Sequence, residues 1–370
     1  MSPTVVVVGG GYGGSAVAKA LDVEADVVLI DPRDAFVHSA GSLRALARPD
    51  WAHNIFFPYD TLLARGTVIR DRAVSVDPRG VELASGRRVE ADYLVLATGS
   101  SYAHPGKPGV ESTGEALDDL RRTHKELVGA ERVLIAGAGP VGLELAGEIK
   151  AEWPHKQVTV IDPNERLLSA FRPEMREDLH RQLHELDIRL RLGTLLTAPP
   201  PPEPGQAETF TVTTTDGDQL MADIWFRAHG VHINSEHLAD GRLTTRTPRG
   251  QVRVDENLAV HGYGHVYAIG DITDVSEAKM ARHAMQHAEV VAQNITAQLR
   301  GEQPTATYEP APDPVILLPL GPRRGVGQLP TPDGPVAAPA TTVAEYKGAD
   351  LGVGKFAALF GTAREEKADA

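Results

Sequence analysis

Val5-Val6-Val7-Val8-Gly9-Gly10-Gly11-Tyr12-Gly13-Gly14 and Val133-Leu134-Ile135-Ala136-Gly137-Ala138-Gly139-Pro140-Val141-Gly142 carry one message twice. Each is an apolar run of the kind that forms a buried parallel strand. Each is followed at once by glycines and then by a stretch with helical spacing. The first glycine of each set permits a tight strand-to-helix turn, and the second lets backbone approach a pyrophosphate. The third lets helix pack closely on strand. A pyrophosphate then lies against the unpaired N–H groups and positive end of the helix. Two such cradles in tandem imply two bound dinucleotides, and the usual reason to bring two together is to pass a hydride between them.

The next elements repeat as well. After the first cradle come Ser15-Ala16-Val17-Ala18-Lys19-Ala20-Leu21, then Val27-Val28-Leu29-Ile30, then Asp31. After the second come Leu143-Glu144-Leu145-Ala146-Gly147-Glu148-Ile149, then Val158-Thr159-Val160-Ile161, then Asp162. An acidic residue at the tip of that strand is the acceptor a ribose 2′-hydroxyl needs.

Composition narrows the partners. The 370 residues are enough for two or three domains, with 42% hydrophobic and 24% charged. A net charge of −13 argues against nucleic acid and gives no support for adsorption to anionic lipid. With no cysteine, a redox-active disulfide, a thiolate adduct and a cysteine-ligated iron–sulfur cluster are all excluded. Met1-Ser2-Pro3-Thr4 runs straight into a strand, without the basic region of a signal peptide, and Ser2 denies N-myristoylation. No apolar run reaches the roughly 20 residues of a membrane span. The expected location is cytoplasmic, with peripheral membrane contact and oligomeric state left open.

Further along, residues 32–66 are irregular and aromatic-rich, with Phe36, Trp51, Phe56, Phe57 and Tyr59, as in a segment that packs over something flat. Val68-Ile69-Arg70, Ala73-Val74-Ser75-Val76-Asp77 and Val81-Glu82-Leu83 read as a β-meander. Tyr93-Leu94-Val95-Leu96-Ala97 ends in Thr98-Gly99-Ser100, and Asp223 to Gly230 echoes it. Pro105, Gly106, Pro108 and Gly109 mark a linker before a helix expected from about Gly114 to Val128. Pro199-Pro200-Pro201-Pro202-Glu203-Pro204 is a stiff insertion. Val266-Tyr267-Ala268-Ile269-Gly270-Asp271 is a strand ending in Gly-Asp, with a helix expected over 279–299. The rest reads as a small domain with a polar tail from Thr362.

In this order, Gly9, Gly11 and Gly14 with Asp31, then Ala97-Thr98-Gly99, Gly137, Gly139 and Gly142 with Asp162, and Ile269-Gly270-Asp271 resemble the two-dinucleotide-binding flavoproteins. Finer stretches resemble the ferroptosis suppressor proteins of the apoptosis-inducing-factor-like group, kin to type II NADH dehydrogenases. These stretches are Asp34-Ala35-Phe36-Val37-His38-Ser39-Ala40-Gly41-Ser42-Leu43-Arg44-Ala45, Ala146 to Pro154, Lys279-Met280-Ala281 and Gly325-Val326-Gly327-Gln328. The resemblance implies an α/β fold with two Rossmann-like domains. An FAD-binding domain, 1–112 and 233–303, is interrupted by an inserted NAD(P)H-binding domain, 113–232. A small α+β C-terminal domain, 304–370, follows.

It also implies FAD on the first cradle, NAD(P)H on the second, and a quinone-like or aromatic small molecule as acceptor. The cofactor-binding set is then Gly9, Gly11, Tyr12, Gly13, Gly14, Asp31, Arg33, Arg44, Val74, Thr98 and Gly99 in the first stretch. Gly137, Gly139, Pro140, Gly142, Asp162 and Gly230 belong to the second, and Gly270, Asp271, Lys279 and Met280 to the last. Of these, Arg33 or Arg44 is assigned to the pyrophosphate or adenine side, backbone near Val74 to the adenine, and Asp271 to the ribityl chain.

Hydride transfer needs the rings stacked about 3–3.5 Å apart more than it needs acid–base groups. The catalytic candidates are Lys279, as a positive charge and donor at the flavin edge, and Glu144, facing the nicotinamide or flavin. Glu148 reads as a surface or interdomain residue. His38 either approaches the isoalloxazine or is a solvated loop histidine. His283 and His287 stand at i, i+4 without a third ligand, so no metal is expected and a packing or acceptor-pocket role is favoured for His287. Asp162 favours NADH, with Arg166 softening that choice and NADPH left open. Phe356, Leu359 and Phe360 are either core or a lipid-facing edge, and core is favoured. The rival function is a flavoprotein tailoring oxidase or monooxygenase. A ferredoxin reductase fits the negative charge poorly.

Overall fold

The computed structural model describes residues 3–362. The valines of the first cradle form the centre of a five-stranded parallel sheet. Its spatial order is Val266–Ala268, Tyr93–Leu96, Thr4–Val8, Asp26–Asp31, Thr67–Arg70. Val5 pairs with Val27 on one side and Tyr93 on the other. Val5, Val6 and Val7 have no exposed surface, as expected of a strand covered on both faces. One face carries helices Tyr12–Leu21 and Ala281–Leu299, packed on each other. The first sheet is therefore closed by a strand and a helix from beyond residue 260.

The second cradle heads a four-stranded parallel sheet in the order Ile188–Leu192, Gln157–Asp162, Arg132–Ala136, Ile224–Arg227. Helix Pro140–Glu152 follows the cradle and is buried without interruption from Gly142 to Lys150. A helix covered all round belongs in a core, and this one lies between the first half's helix Ser42–Ala47 and the C-terminal strand Ile316–Pro319. Gly147 makes the second approach possible: a Cβ there would stand 2.4 Å from the Cα of Leu320.

The C-terminal piece is an antiparallel sheet, Ile316–Pro319, Gly325–Leu329 and Val336–Ala338, with helix Val353–Leu359 beyond it. That helix carries Phe356 and then Phe360 into the aromatic segment. Phe356 stacks 5.3 Å from Phe36, and Phe360 lies 5.1 Å from Phe36 and 5.5 Å from Phe57. Phe356 and Phe360 are 6% and 0% exposed, so they are core and not a lipid-facing edge. The aromatic segment of residues 32–66 is covered by this helix.

Two expectations need correcting. Val68-Ile69-Arg70 is not part of the meander. It is the parallel edge strand of the first sheet, and the meander is Ala73–Asp77, Gly80–Leu83 and Arg88–Glu90. The helix expected from 279 begins at Ala281. Among the described residues no helix is long and apolar enough to cross a membrane. The polar tail expected from Thr362 lies outside the described residues beyond Thr362 itself.

Candidate active site

A pocket opens at the carboxyl end of the first sheet, where an open parallel sheet places its ligands. Gly9, Gly10, Gly11, Tyr12 and Gly13 form its floor. Gly9 has φ +104° and an added Cβ would meet the Ala97 carbonyl oxygen at 2.5 Å, so only glycine makes this turn. Gly11 differs: nothing lies within 4 Å of its Cβ position. No side chain caps helix Tyr12–Leu21, which leaves its first N–H groups free for a ligand. Tyr59 closes the floor from the side, its hydroxyl donating to the Gly10 carbonyl at 2.9 Å.

Asp31 stands where the sequence puts it, at the tip of Asp26–Asp31 and in the pocket wall. Its Oδ2 accepts from the Gly10 amide at 2.6 Å and its Oδ1 from the Arg33 amide at 2.8 Å. Burial pushes its carboxyl pKa up, and nearby Arg33 opposes that. Arg33 lines the same wall, with its Nε buried and without a hydrogen-bond partner among the described residues.

Thr98 and Gly99 line the opposite lip. Asn234 holds them: its Nδ2 donates to the Thr98 carbonyl at 3.0 Å and its amide to the Gly99 carbonyl at 3.0 Å. A two-stranded pairing of Ser100–Ser101 with His232–Ile233 continues this clasp. Asp271 sits beside it on the Gly270–Ile272 turn, accepting from Ser100 Oγ at 2.5 Å. Met280 and Lys279 also line the pocket. However, the Lys279 Nζ donates to the carbonyls of Thr273 at 2.9 Å and Val275 at 3.2 Å. Lys279 still feels the charge of Asp271, but the cation in ion-pair range of it is Lys107, 3.7 Å from Oδ2, a residue of the Pro–Gly linker that no sequence signal singled out.

Glu144 reaches the pocket from the second half. Burial raises its pKa, opposed by Lys347, whose Nζ lies 2.8 Å from Glu144 Oε1. Lys347 belongs to the C-terminal piece, and no local pattern tied it to a residue 203 positions earlier. His38 is 2% exposed, so it is not a solvated loop histidine. Its Nε2 faces the Leu351 carbonyl at 2.8 Å and must carry the proton. Its Nδ1, 3.0 Å from the Tyr12 hydroxyl, therefore accepts. Burial holds His38 down at about 4.

Other predicted residues stand elsewhere. Arg44 is outside the pocket lining and 2% exposed. Its Nη2 is 2.7 Å from Glu148 Oε1 and from the Gly348 carbonyl, and its Nη1 is 2.8 Å from the Ala349 carbonyl. Four of its five N–H groups are engaged, Nε also facing Glu148 at 3.1 Å, so Arg44 is a strut, and Glu148 is its buried interdomain partner. Val74 lies at a bulge of the meander, 47% exposed and outside the pocket lining. Gly230 is exposed at φ +87°, matching Gly99 at φ +61°. His287 is fully buried; its Nδ1 accepts from the Gly270 amide at 3.0 Å and its Nε2 is 3.0 Å from Glu277. It props the Gly-Asp turn from behind. The described residues contain no cluster of three metal-binding side chains.

The second cradle repeats the first. The Ala138 amide donates to Asp162 Oδ2 at 2.7 Å, and the Gly139 Cβ position is open. Gly137 has φ +116°, a Cβ on Gly142 would stand 2.0 Å from the Gly137 oxygen, and Pro140 opens an uncapped helix.

Two open glycine positions at uncapped helix starts, with an orphaned guanidine N–H beside the first, fit two dinucleotides. Residues 3–289 match the pyridine nucleotide-disulphide oxidoreductase family, and the chain belongs to it. It is an FAD-dependent NAD(P)H oxidoreductase. It is 34% identical to ferroptosis suppressor protein 1 of Taeniopygia guttata over 337 residues, covering 89% of either chain. It is 30% identical to apoptosis-inducing factor homolog B of Dictyostelium discoideum, covering 88% of this chain and 89% of that one. Among solved structures, the sulfide:quinone oxidoreductase of Aquifex aeolicus superposes with a TM-score of 0.77 over 98% of this chain and 93% of that one, at 19% identity, a likeness of fold.

Proposed function

We propose that this enzyme takes two electrons from NADH through FAD to a quinone-like small acceptor. One observation carries the reading: a single pocket is walled by the first cradle and by Val141 and Glu144 from the helix of the second. On this reading residues 1–112 and 233–303 hold FAD, 113–232 hold the nicotinamide, and 304–370 shape the acceptor side. The amides at Gly11 to Gly14 receive the FAD pyrophosphate. Asp31 and Arg33 take the adenosine end. Thr98, Gly99, Asp271 and Met280 hold the flavin end. FAD supplies a ring that accepts a hydride and gives up electrons in pairs.

The chain's own task is to orient and to manage charge. Gly137, Gly139, Pro140 and Gly142 bed the NADH pyrophosphate, with Asp162 facing its ribose. A carboxylate there repels a 2′-phosphate, so kcat/KM should favour NADH over NADPH. A quinone reduced by a hydride equivalent also needs a proton. The Glu144–Lys347 pair, with Glu144 in the pocket wall, is the chain's candidate to hold it.

The test is anaerobic rapid mixing. NADH should bleach the yellow absorbance of the purified protein, and added quinone should restore it. An unbleached flavin, or one that no quinone reoxidises, rejects the proposal. Substrate-dependent oxygen uptake with a small aromatic would favour the oxidase reading instead.

A further inference from the structure

The pocket contains two lysines, and their surroundings differ. Lys279 Nζ sits on two main-chain carbonyls of its own loop, those of Thr273 and Val275. Such an ammonium braces a turn. Lys107 Nζ is 2.6 Å from the Ser100 carbonyl, 2.9 Å from Ser100 Oγ and 3.7 Å from Asp271 Oδ2. Ser100 Oγ in turn donates to Asp271 Oδ2 at 2.5 Å. Ser100, Lys107 and Asp271 all line the pocket. The three groups make a closed triangle that joins the Thr98–Gly99 lip, the Pro–Gly linker and the Gly270–Ile272 turn. The lip and the linker are seven residues apart, the turn is 171 positions from Ser100, and Lys107 is the group that charges the triangle. Asp271 Oδ2 thus has one hydrogen bond, from Ser100, and one ion-pair neighbour, Lys107.

We propose that Lys107 is the positioning residue of the flavin end of the pocket. It locks Ser100 and Asp271 into one acceptor unit and supplies there the positive charge that the sequence pattern assigns to Lys279. This rests on the reading that FAD occupies the pocket. A cation beside the flavin end favours the reduced, anionic form, and a charge-assisted hydrogen bond roughly doubles a neutral one in strength. Lys107 should thus be read in two quantities: the affinity for FAD and the flavin midpoint potential.

The experiment strips FAD from the wild type and from K107M, K107R, K279M and S100A. It then titrates FAD back by fluorescence quenching and measures potentials against reference dyes. K107M should bind FAD about tenfold more weakly. Its potential should fall by about 30 mV, equivalent to a tenfold loss of relative affinity for the two-electron-reduced form. K107R should recover most of both, S100A should lose affinity, and K279M should change the potential less than K107M does. Wild-type protein that takes up no FAD would fail the underlying reading, not this one. If wild type binds FAD but K107M matches it in both quantities, or if K279M shifts the potential more, the proposal is overturned. Should K107M not fold, by its circular dichroism, S100A and K107R decide: unchanged S100A affinity with a shifted K107R potential would overturn the triangle.

Discussion

At the first cradle the Gly9 amide donates to Ile30 at 2.8 Å, the Gly10 amide to Asp31 at 2.6 Å, and the Ala97 amide to Val8 at 2.8 Å. At the second the corresponding distances are 2.8 Å for Gly137 to Ile161, 2.7 Å for Ala138 to Asp162 and 2.7 Å for Ala228 to Ala136. The two frames are the same to within about the precision of a hydrogen bond. Their surroundings are not. The first is closed from the side by Tyr59 and walled by Arg33 and Lys107. Around the second, Pro140, His229 and Gly230 are open to solvent. An enclosed cradle suits a group that stays, and an open one suits a molecule that arrives and leaves each turnover. The shared frame sets what class of ligand binds, and the enclosure sets how long it remains.

The comparison can be broken most severely at its join. Arg44→Met strands the buried Glu148 carboxylate between the halves. It should cost about 3–5 kcal/mol, read as a lower urea midpoint. Next come the third glycines, whose added Cβ would stand 1.8 Å from the Gly9 oxygen for Gly14 and 2.0 Å from the Gly137 oxygen for Gly142. Gly14→Ala and Gly142→Ala should each cost about 3 kcal/mol by overpacking. The first should yield colourless protein. The second should stay yellow and no longer bleach with NADH, and equal loss of colour in both would end the division of labour proposed above.

Acid sharpens the contrast. His38 and His237, both in the first half, are held by burial at about 4. Their native values lie below the unfolded one, so the unfolded chain takes up protons first. Their contribution is complete above about pH 6.5 and is lost as pH falls toward 4, by about 2–3 kcal/mol for each. Flavin fluorescence should therefore appear before far-UV ellipticity is lost, and His38→Phe should flatten the stability profile by one proton's slope. The gentlest probes are the open glycines. Gly11 and Gly139 have extended backbone with φ of −73° and −72°, which alanine adopts freely, so Gly11→Ala and Gly139→Ala should leave stability within about 0.5 kcal/mol. Gly11→Ala should weaken FAD about tenfold and Gly139→Ala should raise the KM for NADH by about as much.

What could be read from the sequence was local. A strand, a glycine turn and a helix within a few residues fix both cradles. Asp31 and Asp162 follow because each ends a strand of that unit, and Asp271 because it sits on the turn just past one. Contacts made across the chain left no periodic trace. Glu148 lies 104 positions from Arg44, and Arg44 carried a cofactor role only through its likeness to relatives. Lys107 was hidden in a segment whose prolines and glycines announced a linker and nothing else. The start of helix Ala281–Leu299 was misplaced because Met280, its cap, has no capping side chain. Val68 to Arg70 looked like its neighbours because an apolar alternation says nothing about which sheet a strand joins.

The first half is assembled from both ends of the chain, and this has a consequence for synthesis. A ribosome that has finished residue 112 has released a sheet whose Tyr93–Leu96 edge still lacks Val266–Ala268. Phe36 and Phe57 still lack Phe356 and Phe360. An uncovered edge and bare aromatic rings are what chaperones bind and what aggregates grow from. A truncation that removes only the last helix should therefore reach back to Phe36 and Phe57, among the first sixty residues translated.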